Sequence, residues 1–183
     1  MALPGFDGLE SLPVLDRLDL VPAPVAAALR AWSRTPEVAV VEIDPDLADT
    51  AALVEAYGLP LEGSANCVVV AGSRGGEERV AACVVAADTR ADVNNVARKM
   101  LDVRKASFLS MDRAVAESGM EYGGITPVGL PPGWRLLVDA AVLTVPAAMI
   151  GSGVRRSKLI LPGEALADLP GAEVVEGLGR PTG

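Results

Sequence analysis

The feature that most constrains this chain is a glycine- and proline-rich stretch, residues 121–133. It reads Glu-Tyr-Gly-Gly-Ile-Thr-Pro-Val-Gly-Leu-Pro-Pro-Gly. Proline breaks a helix and cannot donate to a strand ladder, so neither regular element can continue through this stretch. Glycine allows positive φ and lets a ligand approach the backbone closely. The stretch is either a rigid loop whose amides converge on an oxyanion or a phosphate, or a long connection between a helix and a strand.

The length and composition predict one domain spanning residues 1–183. Half of the chain, 50%, is hydrophobic, which is ample for a core. The most apolar segment is Leu136–Ile150, but Asp139 and Pro146 interrupt it, and it falls short of the ~20 residues that a membrane helix needs. The N-terminus has no basic region followed by an apolar run, as a signal peptide would. We therefore expect a cytoplasmic protein with no membrane partner.

The titratable side chains limit the possible chemistry. Histidine is absent, and the only cysteines are Cys67 and Cys83. Both lie in apolar, β-like runs, where a buried thiol is more common than a disulfide or a nucleophile. Without histidine, neither a Ser-His-Asp nor a Cys-His arrangement is possible, and zinc is not expected. We expect no metal and no cofactor.

The net charge of −8 is unevenly distributed along the chain. Residues 1–60 hold ten acids and three bases, residues 61–113 hold seven acids and eight bases, and residues 114–183 hold seven acids and five bases. Basic residues cluster twice, as Arg98, Lys99, Arg104, Lys105 and Arg113, and as Arg155, Arg156 and Lys158. Such clusters are most often solvated faces, and contact with an RNA backbone is the alternative.

Hydrophobic periodicity predicts short strands interspersed with helices. The predicted strands are 38–43, 67–71, 80–87, 106–109, 136–138, 147–150, 158–161 and 173–175. The predicted helices are 22–34, 50–57, a helix that starts in 89–92 and runs to 101, 111–118 and 162–169. Residues 72–76 would form a hairpin turn, 1–21 an irregular leader and 177–183 a frayed tail. This mixture indicates an α+β fold with a curled, mixed sheet.

The order of four short motifs resembles the YbaK family of aminoacyl-tRNA deacylases, the free-standing relatives of the prolyl-tRNA synthetase editing domain. The most specific motif is 123–129, which is similar to the G-x-x-x-P loop of the family and its trailing glycine. The supporting motifs are Asp88-Thr89-Arg90, Val138-Asp139 and Gly151-Ser152-Gly153. Each is weak alone, but their common order and spacing are specific. The resemblance covers 38–176 and leaves residues 1–35 as an N-terminal extension.

The resemblance implies a mixed, barrel-like sheet with surrounding helices, and hydrolysis of the ester between a wrong small amino acid and the 3′ end of a tRNA. The catalytic residues it implies are Gly123, Gly124, Ile125, Thr126, Pro127 and Asp139. The loop amides would stabilise the developing oxyanion, and one such donor is typically worth ~10²–10³ in rate. Asp139 would face the substrate ammonium, or else it is a strand-end carboxylate bonded to loop amides. The implied substrate-binding residues are Asn66, Arg90, Gly129, Gly151, Ser152 and Gly153.

One departure from the family pattern concerns activity. Members usually carry a lysine that opens the strand beginning here at Asn66. This chain has Asn66 there, or Ala65 under a one-residue shift, so a neutral amide or a methyl group replaces an ammonium. Losing a charge-assisted hydrogen bond costs about 1.5–3 kcal/mol. Arg74, Arg90 or Lys105 could supply the missing charge.

Three functions therefore stay open on the sequence. The first is a trans-editing deacylase whose partners are the 3′ end of an aminoacyl-tRNA and a synthetase. The second is a catalytically weak or inactive relative that binds tRNA ends, a synthetase or a small metabolite. The third, for which no residue argues, is a hydrolase of another small ester or thioester.

Overall fold

The chain has an α+β architecture in a computed structural model that describes residues 5–182. The strands are β1 Ser11–Pro13, β2 Ala39–Glu42, β3 Ala65–Arg74, β4 Glu77–Ala86, β5 Thr89–Ala91, β6 Ala106–Phe108, β7 Arg135–Asp139, β8 Ala148–Gly151, β9 Ser157–Leu161, β10 Ala172–Val175 and β11 Gly179–Pro181. The α-helices are α1 Ala23–Ala31, α2 Thr50–Tyr57, α3 Arg98–Leu101 and α4 Met111–Ser118. A π-helical segment, Val93–Ala97, leads into α3. Short 3₁₀ segments cover Val14–Leu20, Thr35–Glu37, Pro45–Leu47, Leu61–Gly63, Ala140–Thr144 and Gly163–Asp168.

The strands within residues 5–182 form two large sheets and a small ribbon. Their orders are β1-β2-β9-β8, β10-β7-β4-β3-β6 and β11-β5. The four-stranded sheet is antiparallel, whereas the five-stranded sheet is mixed, since β7 runs parallel to both β4 and β10. The predicted α+β fold with a mixed sheet and surrounding helices is confirmed. The two large sheets stay open and do not close into one barrel.

Side-chain alternation along the strands buries both faces of each large sheet. The central core between the sheets includes Ala82, Val84, Leu136 and Val138 from the five-stranded sheet, and Val40, Ile150, Leu159 and Leu161 from the four-stranded sheet. On the outer face of the five-stranded sheet, Cys83 and Leu137 pack with Leu101 of α3. On the outer face of the four-stranded sheet, Met149 and Ile160 pack with Leu53 of α2. Helices therefore cover the outside of a two-sheet sandwich.

The β3–β4 hairpin shows how local sequence sets a turn. The two central residues are Gly75 and Gly76, with φ of 59° and 82°. A tight two-residue hairpin turn with positive φ at both positions is best served by two glycines. The strands extend to Arg74 and Glu77, which are register partners, so the turn is shorter than the predicted 72–76.

Two local predictions are wrong. Within the segment predicted to start a helix, 89–92, the first three residues instead form β5, and the predicted frayed tail contributes β11, its antiparallel partner. The helical segment begins at Val93, and the Asp92 carboxylate caps it by accepting the Asn95 N–H at 3.1 Å. The partner strand lies about 90 positions away in the chain, and no local pattern reveals such a pairing.

The predicted irregular leader is more ordered than its sequence indicates. β1 pairs antiparallel with β2, in a register that places Leu12 opposite Val40. The 3₁₀ segment that follows buries Val14 and Leu20, and α1 buries Leu29 in the central core. No helix among residues 5–182 is both long enough and apolar enough to cross a bilayer.

Candidate active site

Residues of both large sheets line a cavity of about 800 Å³. Ser64, directly before β3, forms an isolated bridge with Met149 of β8 at this cavity. β6 pairs with β3 only over 70–72, so the 65–69 part of β3 faces the opening. The start of α2, residues 122–125 and the segment 108–114 bound the remaining sides. A concave space with apolar walls and a few polar groups is the usual form of a ligand site.

The glycine-rich loop lies directly against β8 and the segment after it. A Cβ at Gly151 would be 2.5 Å from the Ile125 carbonyl oxygen, and a Cβ at Gly124 would be 2.6 Å from the Val154 carbonyl oxygen. The Gly153 N–H also donates to the Gly124 carbonyl at 2.6 Å. Glycine permits this approach because it has no side chain. Main-chain contacts therefore fix the loop in place.

Two amides of this loop are unpaired beside the cavity. The N–H of Gly124 donates to a main-chain carbonyl at 3.0 Å, and that of Thr126 donates to a methionine sulfur at 3.5 Å. Within residues 5–182, the N–H groups of Gly123 and Ile125 have no hydrogen-bond partner, and both residues line the cavity. Thr126 and Pro127 are buried behind them. Unpaired amides of this kind can hold a carbonyl oxygen as negative charge develops on it.

Asn66 lies on the cavity wall that β3 forms. Its Oδ1 accepts a hydrogen bond from Thr50 Oγ1 at 2.8 Å, which joins β3 to the first residue of α2. The helix is capped by the preceding residue, Asp49, whose carboxylate accepts the Ala51 N–H at 2.9 Å. Asn66 is therefore held by α2, and it lines the same cavity as Gly123 and Ile125.

A lysine enters the cavity from the opposite wall. Lys158, on β9, is only 6% exposed, and its Nζ donates to the Ala48 carbonyl at 2.8 Å. The pKa of Lys158 falls from 10.5 to about 8, mainly because of burial and also because of nearby Arg155, while Asp49 opposes the shift. Lys158 and Asn66 thus contact neighbouring residues of one segment, 48–50, from two sides of the cavity. The cavity holds a buried ammonium, although none is at the position expected from the family pattern.

Three exposed side chains and one arginine surround the mouth. Phe108, Met111 and Tyr122 line the cavity and are 63%, 49% and 57% exposed. Arg155 donates to the carbonyls of Tyr122 at 3.3 Å and of Pro45 at 3.0 Å, so it ties the glycine-rich loop to the segment before α2. Aromatic faces beside a guanidinium are a common platform for unpaired bases.

Cys67 also lines the cavity, and its state bears on the chemistry. Both cysteines are free, and burial among apolar side chains raises the pKa of Cys67 above its usual range and that of Cys83 to about 12. A thiol with a raised pKa is neutral near pH 7 and is a weak nucleophile. Among residues 5–182 no group of three or more His, Cys, Asp or Glu could hold a metal ion.

The structure brings together only part of the expected site. Gly123, Ile125, Asn66 and Gly151 line the cavity, and Gly124, Thr126 and Pro127 support it. The remaining expected residues do not line it: Asp139, Arg90, Gly129, Ser152 and Gly153. Asp139 is 3% exposed; its carboxylate accepts the N–H of Ala141 at 3.5 Å and of Gly179 at 2.9 Å. Of the two alternatives weighed for Asp139, these bonds are those of a strand-end carboxylate.

The other expected residues have structural contacts. Ser152 is fully buried, and its hydroxyl donates to the Ser157 carbonyl at 2.9 Å. Gly129 has φ of 82°, and a Cβ there would be 2.6 Å from the Pro24 carbonyl. Gly153 has φ of 95° and packs on Pro22. These three residues hold the glycine-rich loop and its neighbours together.

None of the three residues expected to replace the missing lysine reaches the cavity. Arg74 pairs with Asp102 near the hairpin turn, Arg90 lies on β5, and Lys105 is exposed before β6. Lys158 is the cation that sequence reasoning assigned to a solvated basic cluster. A signal was present, since Lys158 opens the apolar run Leu159–Leu161 and a lysine in a buried strand requires a reason.

The fold and the cavity define a class of protein, and comparison with known proteins identifies it. The family described as the aminoacyl-tRNA editing domain matches residues 44–169. Because that range is more than half of the chain, this protein belongs to the aminoacyl-tRNA editing domain family, to which the YbaK proteins belong. None of the curated protein sequences compared with this chain matches it.

Solved structures share the fold at low sequence identity. The hypothetical protein APE2540 superposes with a TM-score of 0.74 at 20% identity, covering 86% of this chain and 100% of its own. A protein described as a candidate trans-editing enzyme for prolyl-tRNA synthetase gives 0.72 at 20% identity, covering 86% and 95%. A scaffold carrying a computationally grafted epitope gives 0.72 at 21% identity, covering 86% and 96%. These likenesses establish the fold.

Proposed function

We propose that the protein is a trans-editing deacylase, a carboxylic ester hydrolase that cleaves a small, wrongly attached amino acid from the 3′ end of a tRNA. Membership of the editing-domain family supports this proposal. The observation that carries it is the cavity beside the unpaired N–H groups of Gly123 and Ile125. The ester carbonyl oxygen would bind there, and the tRNA end would lie at the mouth beside Phe108, Tyr122 and Arg155.

The proposed reaction needs no side-chain nucleophile. Water adds to the ester carbonyl carbon, gives up a proton and forms a tetrahedral oxyanion; attack by the free hydroxyl of the terminal ribose would only move the acyl group to the neighbouring ribose oxygen, and water would still have to release it. Collapse of that intermediate breaks the bond between the acyl carbon and the ribose oxygen. With water, the ribose oxygen takes up a proton, and the products are a free amino acid and an intact tRNA end. The protein supplies position and electrostatic stabilisation.

The test is a deacylation assay on tRNAs charged with alanine, cysteine, serine, proline or aspartate. The informative variant is Gly123→Ala, because a Cβ there would be 2.5 Å from Arg155 Nη1 beside the cavity. The matched control is Gly76→Ala, since φ is 81° at Gly123 and 82° at Gly76, and a Cβ at Gly76 has nothing within 4 Å. Both variants place alanine at nearly the same positive φ, so the difference in kcat/KM reports the site.

We expect the wild type to hydrolyse at least one of these esters, and Gly123→Ala to lose ~10²-fold in kcat/KM relative to Gly76→Ala, because its methyl group displaces Arg155 and misplaces the substrate at the loop. A folded wild type that releases no amino acid from any of the charged tRNAs would contradict the proposal. Equal rates in the two glycine variants would remove the loop from it.

Asn66 supports a second candidate function, a binding protein for tRNA ends, a synthetase or a small metabolite. Its side chain is neutral, where family members usually carry lysine, and Thr50 engages its Oδ1. The acidic first 60 residues suit a basic partner, of which a synthetase is one candidate. Asn66→Lys separates the two functions. A gain of ~10²-fold or more in deacylation from a nearly inactive wild type would favour the binding protein.

A further inference from the structure

Two buried polar side chains in the cavity have hydrogen-bonding capacity that the protein does not use. Lys158 has three N–H donors, and within residues 5–182 only the bond to the Ala48 carbonyl, 2.8 Å long, engages them. Ser64 is 4% exposed, and its Oγ is the one buried side-chain polar atom of the described chain without a hydrogen-bond partner. Both residues line the cavity. Unsatisfied buried polar groups are uncommon and call for an explanation.

Stability does not explain Lys158. A buried ammonium without a close ion pair costs free energy, and within the described residues no carboxylate lies within 4.0 Å of it. Asp49 acts on it only as a more distant negative charge, and Arg155 adds a second positive charge. The wall of the cavity near Lys158 is therefore electropositive, which suits an oxygen atom that carries negative charge.

The position of Lys158 relative to the loop follows from the strand register. Lys158 and Gly151 are directly opposed on antiparallel strands, so their side chains project from one face of the sheet. A Cβ at Gly151 would be 2.5 Å from the Ile125 carbonyl oxygen. Opposed Cβ positions lie about 5 Å apart, so the Lys158 side chain starts next to the loop, and its Nζ reaches the Ala48 carbonyl.

The cavity has a direction from an open end to a closed end. Phe108, Met111 and Tyr122 at the open end are about half exposed or more, whereas Ser64 and Lys158 are 4% and 6% exposed. A polynucleotide must stay at the open end, and the ester carbonyl would lie at the loop. Beyond the carbonyl lies the α-carbon, which carries an ammonium and the side chain. The electropositive wall near Lys158 repels the ammonium, so the group that extends toward the closed end is the side chain of the amino acid.

We propose that Lys158 and Ser64 bind an oxygen atom in the side chain of the aminoacyl group, so that the substrates are esters of small amino acids with a carboxylate or a hydroxyl. This assignment rests on the proposed deacylase function. A carboxylate is bound best because it balances the ammonium, and a hydroxyl follows because it accepts a hydrogen bond. An alanyl ester offers neither and leaves the buried polar groups unpaired, which penalises its binding.

The experiment measures kcat/KM for aspartyl-, seryl- and alanyl-tRNA with the wild type and three variants. Lys158→Met removes the ammonium at similar length, Lys158→Gln keeps N–H donors without charge, and Ser64→Ala removes the hydroxyl. Lys99→Met is the matched control, because Lys99 is exposed on α3 and does not line the cavity. Binding of the uncleavable 3′-amides of aspartate, serine and alanine with 3′-amino-3′-deoxyadenosine is measured in parallel. Thermal unfolding verifies that each variant is folded.

We expect the wild type to prefer aspartyl over seryl over alanyl esters. Lys158→Met lowers kcat/KM about 10- to 100-fold for the aspartyl and seryl esters and less than about threefold for the alanyl ester. Lys158→Gln lowers the aspartyl rate more than the seryl rate, and Lys99→Met changes none of them. The preference for aspartyl over seryl esters also falls between pH 7 and pH 9, because Lys158 loses its proton in this range. The other titratable or charged groups that line the cavity are Asp49, Cys67, Tyr122 and Arg155.

Equal losses of rate for all three esters in Lys158→Met would overturn the assignment, because Lys158 would then contact a part common to all substrates. Unchanged rates would overturn it as well. If the wild type cleaves no ester, the deacylase proposal fails. Binding of the uncleavable 3′-amides then tests separately whether Lys158 and Ser64 bind the amino-acid side chain. Tighter binding of the aspartyl 3′-amide by the wild type than by Lys158→Met, by about tenfold or more, supports the proposed side-chain subsite. Equal or undetectable binding of this amide overturns it.

Discussion

At two places in this molecule, which we call junctions, a glycine lets two segments of the chain pack closely: Gly151 against the glycine-rich loop, and Gly179 against Asp139. The two junctions differ in whether the neighbouring N–H groups have hydrogen-bond partners. At the first, a Cβ at Gly151 would be 2.5 Å from the Ile125 carbonyl oxygen; at the second, a Cβ at Gly179 would be 2.5 Å from Asp139 Oδ2. The Gly179 N–H donates to Asp139, whereas the loop N–H groups of Gly123 and Ile125 have no partner among residues 5–182. Close approach of a backbone is therefore common to both junctions, and unpaired polar groups beside a cavity distinguish the candidate site.

The largest expected effect comes from Gly151→Ala. The new methyl group would meet the Gly124 and Ile125 carbonyls at 2.7 Å and 2.5 Å, so the loop must move away from β8. Displacing the proposed oxyanion donors should lower kcat/KM for deacylation by ~10²–10³, as removal of such a donor does in other enzymes. The measurement is a steady-state assay on the best charged tRNA, with circular dichroism to verify the fold.

Gly179→Ala is the matched variant for the other junction. Its methyl group is equally close to its neighbour, and there we expect a lower melting temperature with kcat/KM within about threefold of the wild type. If Gly179→Ala lost activity as strongly as Gly151→Ala at the same melting temperature, the distinction between the two junctions would be wrong.

The second prediction concerns how the stability depends on pH, because this dependence tests whether burial of the Lys158 ammonium lowers the free energy of unfolding. The pKa of Lys158 is about 8 in the folded protein and 10.5 as a free side chain. Between these values the unfolded chain binds more protons than the folded one, so the free energy of unfolding rises with pH. The difference corresponds to ~3 kcal/mol at most. Urea unfolding at pH 7.5 and pH 10.5 measures it, after other titrating groups are subtracted with Lys158→Met.

We expect Lys158→Met to remove this pH-dependent rise and to be at least as stable as the wild type at pH 7.5, because it replaces a buried charge with an apolar group of similar length. A strong loss of stability in Lys158→Met at neutral pH would show that the lysine is structural. A functional explanation for its burial would then be unnecessary.

Local sequence predicts much of the fold because several elements carry their own signals. Asp49 and Gly58 at the ends of α2, with Gly58 at φ 63°, and the paired glycines of the β3–β4 turn are examples. The glycine-rich loop is conspicuous for the same reason. The β5–β11 pairing and the register of Lys158 against Gly151 depend on strands distant in the chain, which local patterns do not encode.

The candidate site shows the same division. Gly123, Ile125, Asn66 and Gly151 are identified from short motifs, and they do line the cavity. Ser64 is missed because its burial and its absent hydrogen-bond partner are properties of the folded chain, and Lys158 is missed although it opens a buried, apolar strand. The Val138-Asp139 motif is equally visible in sequence, but only the structure shows that the carboxylate is saturated by main-chain donors.

The smallest expected effect on activity is that of Asp139→Asn, which directly tests the junction where Asp139 contacts Gly179. An asparagine keeps one acceptor oxygen and places an NH₂ group against one of the two main-chain donors, at Ala141 or Gly179. The stability should fall by about 1–3 kcal/mol, the cost of a buried unpaired donor. Because Asp139 does not line the cavity, kcat/KM should stay within about threefold of the wild type.

Asp44→Asn is the control, since Asp44 caps a 3₁₀ turn in the same way with its Oδ1 3.0 Å from the Asp46 N–H, but it is exposed. There asparagine serves nearly as well as aspartate, and both stability and activity should be unchanged. Chemical unfolding and the deacylation assay on the same preparations decide the matter. A large loss of kcat/KM in Asp139→Asn at unchanged stability would return Asp139 to the active site, facing the substrate ammonium. The contact between Gly179 and Asp139 and the contact between Gly151 and the loop would then serve one function.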